Sequence, residues 1–338
     1  MPWSTVNRSS SANSNETAAG RVSPPKTQES SVDSEMSVDA DRMVTLRRAY
    51  GRASPPERIK QEAFDHDDRH LRRLARLRPE ERADVKDLWE YTQDLLYTEI
   101  DNSLFAHVLP FCLEAWREDL CGTNSGYGGF VEHFYPVLAD RHVFDEQLTP
   151  KQSAAVAEFM RESILDEIDD QRGLAFKGAM SRPYRWIRAL TTYGVLMPDL
   201  EQLWANWWLV NTVGRAVAVV QYASCLMYIS TENPVFAPWT PNQGGGPPQL
   251  WEFAGHLYKH RWRDANVDFL RRTLTVDVVS NVLARADEFL VGQPERGKAT
   301  EVLGDLPLCA ETLAARCNEL PRVLAATQET GAPLDWSR

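Results

Sequence analysis

In MRESILDEIDDQRG the carboxylates Glu162, Asp166, Asp169 and Asp170 recur at i, i+4, i+7 and i+8, so one helix face can carry several of them. All-helical Mg2+ enzymes hold a diphosphate through metal on such a face. The same pattern also describes a solvated acidic face with Arg161 and Arg172 beside it. A metal-diphosphate enzyme needs a second motif of Asn, Ser and Glu on a later helix, and VVSNVLARADE has those residue types in the wrong order and spacing. His256 and His260, four apart in GHLYKH, have metal-ligand spacing, with Glu252 one turn earlier. Leu257 stands where HExxH would place its catalytic glutamate. His66 and His70 repeat the spacing inside a charged stretch. A divalent metal at the acidic helix or the His256 and His260 pair is the enzymatic alternative. No other cofactor is implied, because GxSxG, P-loop, GxGxxG and kinase-type signatures are missing.

FAPWTPNQGGGPPQLW carries a different kind of chemistry. Phe236, Trp239 and Trp251 offer aromatic contact area, while Gly244, Gly245 and Gly246 between proline-bearing arms give the backbone extreme freedom. Such a loop suits a docking flap, or else a plain connector.

The stretch from Leu203 to Ser230 holds a single charge, Arg215. A membrane helix needs roughly 18 to 20 residues with few charges. Arg215 divides the region into uncharged windows of 13 residues (Gln202 to Gly214) and 16 residues (Ala216 to Thr231). A central core helix is the better reading, with membrane association as a further alternative. A guanidinium on a core helix must reach water along its stem or be paired. The Glu162 to Asp170 helix is the natural source of its carboxylate.

These residues sit in a chain of 338 residues with net charge -11, which argues against general affinity for nucleic acid or anionic lipid. Cys112, Cys121, Cys225, Cys309 and Cys317 make an odd count without a CxxC pair, the usage of reduced thiols in an intracellular protein. The first residues have neither the basic start nor the apolar core of a secretory signal, so the expected location is cytoplasmic.

The positioning elements read as helices throughout. Residues 1–55 are Ser- and Asn-rich and poor in large apolar residues, which predicts a disordered tail. Residues 56–78 form a charged arm in which Leu71, Leu74 and Leu77 alternate with arginines. From 79 to 338 the pattern predicts one all-helical globular domain, with Pro79 opening the first helix over Glu80 and Glu81. Asp101 to Ser103 offer caps for a helix through Pro110, and Thr149 and Pro150 start another that Gly173 stops. Pro183 and Gly194 bracket a further one. No period-2 alternation bounded by hairpin turns is present.

Three hairpins share a plan: Trp89 leads to Asp101 and Leu104, Trp186 to Asp199 and Leu203, and Trp251 to Asp264 and Val267. Their unequal spacing points to an all-α, irregular HEAT-like stack of helical hairpins or an orthogonal helix bundle. With helix-packing residues abundant and catalytic constellations weak, the expected function is non-enzymatic. It is that of an interaction or scaffold protein binding a protein partner through a helical surface and the 236–251 loop.

Overall fold

The computed structural model describes Met43, Val44, Leu46 and residues 56–121, 130–140, 142–174, 182–228, 233–235 and 261–325. Every described segment is helix or connection, and none is a strand, so the fold is all-α. In chain order the helices are α1 (Arg69–Leu74), α2 (Val85–Tyr97), α3 (Asn102–Leu120) and α4 (Phe130–Asp140). A single π-helical turn (Val143–Gln147) precedes α5 (Pro150–Asp169), α6 (Arg182–Leu196), α7 (Glu201–Trp207) and α8 (Val213–Met227). Then come α9 (Asp264–Thr273), α10 (Val276–Phe289), α11 (Arg296–Gly304) and α12 (Leu306–Ala325).

Local sequence explains most of the boundaries. At α5 the Thr149 hydroxyl accepts from the Gln152 N–H, the Gln152 side chain accepts from the Thr149 N–H, and Pro150 fills the first turn. Asp101 caps α3 by accepting from Ser103 and Leu104 N–H groups. Gly173, with φ at 79°, follows the end of α5.

Three expectations are corrected. Pro79 does not open a helix: it lies in a turn where Glu81 accepts from the Arg78 N–H, and α2 starts at Val85 because Asp84 caps it through Lys86. Gly194 does not end α6, which continues to Leu196. The glycine is there for contact: a Cβ at 194 would stand 2.5 Å from the Trp262 indole, and the Gly194 carbonyl accepts from Arg263 and Asn266. The apolar stretch from Leu203 is two helices, α7 and α8. The chain leaves helix after Trp207 and restarts where the Thr212 hydroxyl accepts from the Arg215 N–H. Among the described residues no helix is long and apolar enough to cross a membrane.

The core centres on α8, in which 13 of 15 residues are buried, so it is enclosed rather than amphipathic. It packs against α5, α6, α10, α11 and α12. Trp204, Trp207, Trp208 and Tyr222 gather beside it, with the Trp208 ring edge-on to both Trp204 and Tyr222 and the Tyr222 hydroxyl donating to the Trp207 carbonyl. The three hairpin aspartates are not equivalent. Asp101 caps α3, Asp199 accepts from Glu201 one residue ahead of the α7 cap position, and Asp264 is the first residue of α9 behind Arg263. The Trp186 side chain and Trp251 lie outside the described residues.

The stretch before α2 docks on the body. Met43 and Leu46, from the segment expected to be tail, are buried, as are Leu71 and Leu74 of the arm. Short apolar groups in polar sequence escape a composition average yet still bury. The arm is held to the start of α3 and to α2 by carboxylates. Asp101 accepts from the Lys60 N–H at 2.8 Å, Asp94 from the Phe64 N–H at 2.9 Å, and Asp87 from the Arg73 guanidinium through both oxygens. Buried His70 places Nε2 2.6 Å from Asp94 and Nδ1 3.6 Å from Glu90.

Burial alone pushes the His70 imidazole down, but the Asp94 hydrogen bond and the charges of Asp94, Glu90 and Asp65 outweigh it and hold its pKa above the ordinary 6.5. A folded-state pKa raised in this way contributes stability that is complete below the unfolded value and is lost as pH rises through the folded one. Unfolding midpoints of wild type and His70→Gln, measured between about pH 6 and 9, are therefore expected to converge as pH rises. A constant offset would show that folding does not raise the His70 pKa.

Candidate functional site

The expected acidic site comes apart when its side chains are placed. Glu162 is engaged by Arg161 Nε at 3.0 Å, Asp166 lies 3.9 Å from Arg117, and Asp170 is an exposed residue at the α5 terminus. Asp169 belongs to Arg215. Its two oxygens accept from Nε at 2.7 Å and Nη2 at 3.0 Å, and it also accepts from the Thr212 hydroxyl at 2.8 Å. Nη1 of Arg215 donates to the Asn206 carbonyl at 2.6 Å. The buried guanidinium is thus paired and bonded across α5, α7 and α8. Three of the four carboxylates face different arginines, so this face is a series of ion pairs and not a metal cup. Among the described residues no group of three or more His, Cys, Asp or Glu stands where it could hold a metal ion.

Glu252, His256 and His260 of the histidine pair, and Phe236, Trp239, Gly244, Gly245, Gly246 and Trp251 of the loop, lie outside the described residues. The five cysteines are free thiols. Burial pushes Cys225 up to about 12 and Cys317 to about 11, which keeps both in the unreactive protonated form near neutrality.

A concavity elsewhere has the features of a binding site. A groove of about 660 Å³, open to solvent, runs between the π-helical turn, the first half of α5, the end of α6 and the start of α7. Its floor is low because α5 presents Ser153, Ala154 and Ala157 there, where larger side chains would fill it. Phe144 and Leu148 form one wall, and Leu196, Met197 and Pro198 the other.

Polar groups fix these walls. The Ser153 hydroxyl donates to the Phe144 carbonyl at 3.2 Å and ties the π-helical turn to α5. Arg263 donates from Nε to the Leu196 carbonyl at 2.9 Å and from Nη2 to Asp145 at 3.2 Å, joining the end of α6 to that turn. Arg161 bridges α5 to α7 by donating to Gln202 at 3.0 Å. Beside it Tyr193 is buried, which raises its pKa against the opposing effect of Arg161, so the phenol stays neutral.

The charge of the groove is unbalanced. Asp145, Glu158 and Asp199 line it against Arg161 and Arg263, and both arginines are committed to internal partners. Among the described residues Glu158 has no cationic partner, and it is exposed. The groove can therefore accept an apolar side chain between its walls and a positive group at its rim.

Sequence reasoning missed this site. The only local signal is the small-residue patch at Ser153, Ala154 and Ala157, which reads equally well as ordinary helix surface. The walls come from segments brought together only by folding. The described residues define an all-α protein with an open, acid-rimmed groove. No family model, no curated protein and no solved structure matches the chain.

Proposed function

We propose that the protein is a non-enzymatic interaction protein that holds a short segment of a partner in the groove of α5, α6, α7 and the π-helical turn. The supporting observation is the combination of apolar walls with an exposed, uncompensated Glu158 at the rim. The segment it fits has an apolar anchor, such as Leu or Phe, beside a Lys or Arg. An overall charge of -11 favours the approach of a basic partner. The 236–251 loop belongs to the same proposal as a second contact, its aromatics and glycines being suited to folding over a bound segment.

Selection from a displayed library of random peptides about a dozen residues long tests the reading directly. Selected peptides are expected to combine a basic residue with a large apolar one. Ala157→Trp, which fills the floor from a half-exposed position, is expected to weaken their binding by about tenfold or more without altering the unfolding midpoint. Glu158→Lys is expected to weaken the basic peptides selectively. Failure to enrich such peptides, or undiminished binding to Ala157→Trp, would overturn the assignment.

A further inference from the structure

Beyond the end of α5 the chain turns through Gly173, whose φ of 79° lies in the left-handed region that glycine adopts without strain. Two distant side chains meet its main chain. The Gly173 N–H donates to Glu295 Oε1 at 2.8 Å, and its carbonyl accepts from Gln221 Nε2 at 3.1 Å. Two residues earlier, Gln171 Nε2 donates to the Glu167 carbonyl at 2.6 Å and to Glu167 Oε1 at 3.2 Å.

Each of these side chains has used one end, and the other ends share a property. Glu295 Oε2, Gln221 Oε1 and Gln171 Oε1 are all buried oxygens with no hydrogen-bond partner among the described residues. The residues themselves are 6%, 0% and 0% exposed. The amides are not free to turn round, because each Nε2 already donates to a main-chain carbonyl that an amide oxygen would repel. Glu295 stands at the start of α11, but its side chain makes no capping bond there and reaches across to Gly173 instead.

Buried hydrogen-bonding groups ordinarily alternate donors with acceptors. Here three buried acceptors without a donor flank one turn, two on side chains bonded to Gly173 itself and the third two residues before it. Carboxylate and amide oxygens in this proportion are the ligands of hard cations. We propose that Glu295, Gln221 and Gln171 form a binding site for a hard metal cation at the Gly173 turn, where α8 and the start of α11 meet the end of α5. The site is separate from the groove and owes nothing to the acidic face of α5. Its occupant ties three segments of the fold that are distant in sequence.

Full-length protein, stripped with a chelator and unfolded thermally with added CaCl2, MgCl2 or KCl, tests the site. At least one cation is expected to raise the wild-type midpoint saturably, by about 3 °C. Glu295→Gln is expected to lose that response while folding normally. Its midpoint without added cation should equal or exceed that of wild type, because the new amide supplies the donor this cluster lacks. Gln171→Met, which removes a different oxygen, is expected to weaken the response in a folded protein. The proposal is overturned if no cation moves the wild-type midpoint, or if wild type and Glu295→Gln respond alike.

Discussion

Asp169→Ala is expected to destabilise the protein by about 3 kcal/mol, the lower part of the range for removing one partner of a buried pair. The lower part applies because the Asp169 side chain is 34% exposed, so water already reaches one side of the pair. The loss is still large because Arg215 is only 8% exposed and would keep its charge with one remaining acceptor, the Asn206 carbonyl. At roughly 2–4 °C per kcal/mol for a domain of this size, the unfolding midpoint should fall by about 6–12 °C. The double variant Asp169→Leu, Arg215→Met is the informative companion. With both charges gone and apolar volume in their place, much of the loss is expected to return. Thermal and urea unfolding of Asp169→Leu, Arg215→Met and the double close the cycle. Additive single effects would show that the two side chains do not act as a pair.

Gly214→Ala is expected to be more damaging still. A Cβ on residue 214 would overlap the carbonyl oxygen and carbon of Asp169, both main-chain atoms that no rotamer change can move. The helices α5 and α8 cross at this point, so one must shift bodily, and the shift also pulls Arg215 from Asp169. A loss above about 4 kcal/mol, in the exceptional class for single substitutions, is the expected result. Gly297→Ala is the control. No atom lies within 4 Å of a Cβ there, and alanine favours helix by up to about 1 kcal/mol, so the variant should be neutral or slightly more stable. Circular dichroism melts of the two proteins decide the matter, and a Gly214→Ala protein melting with wild type would refute the close crossing.

Features set within a few residues are the legible ones. Thr149, Pro150 and Gln152 start α5 by bonds among themselves, and Asp101 caps α3 through the next residues. The demand of Arg215 for a carboxylate follows from the cost of burying charge, and the α5 face is where Asp169 supplies it. Less can be read where tertiary contact overrides a local signal. Gly194 carries the mark of a helix end, yet its smallness serves the Trp262 ring. Thr212 is an ordinary cap hidden within an apolar run, and without it α7 and α8 read as one element. Pro79 and its two glutamates resemble a helix start, while Asp84 supplies the actual cap. The groove is the least legible. Its floor is the absence of bulk on α5, and its walls meet through Arg263, whose partner Asp145 is 118 residues away.

The corner where α8 passes the end of α5 restricts how this chain can drift. Asp169 accepts from Thr212 and Arg215 through its side chain, and its main chain leaves room for no Cβ at 214. Four positions, 169, 212, 214 and 215, are therefore joined, so that the fitness of a change at one depends on what occupies the others. Exchanging the ion pair for apolar side chains is acceptable as an end state but passes through a single mutant with a stranded charge, and at 214 no such detour exists. Mutational paths around this corner are consequently rugged, whereas at the floor of the groove the effect of a change at 154 or 157 rests on the size of that one side chain and not on what occupies the other.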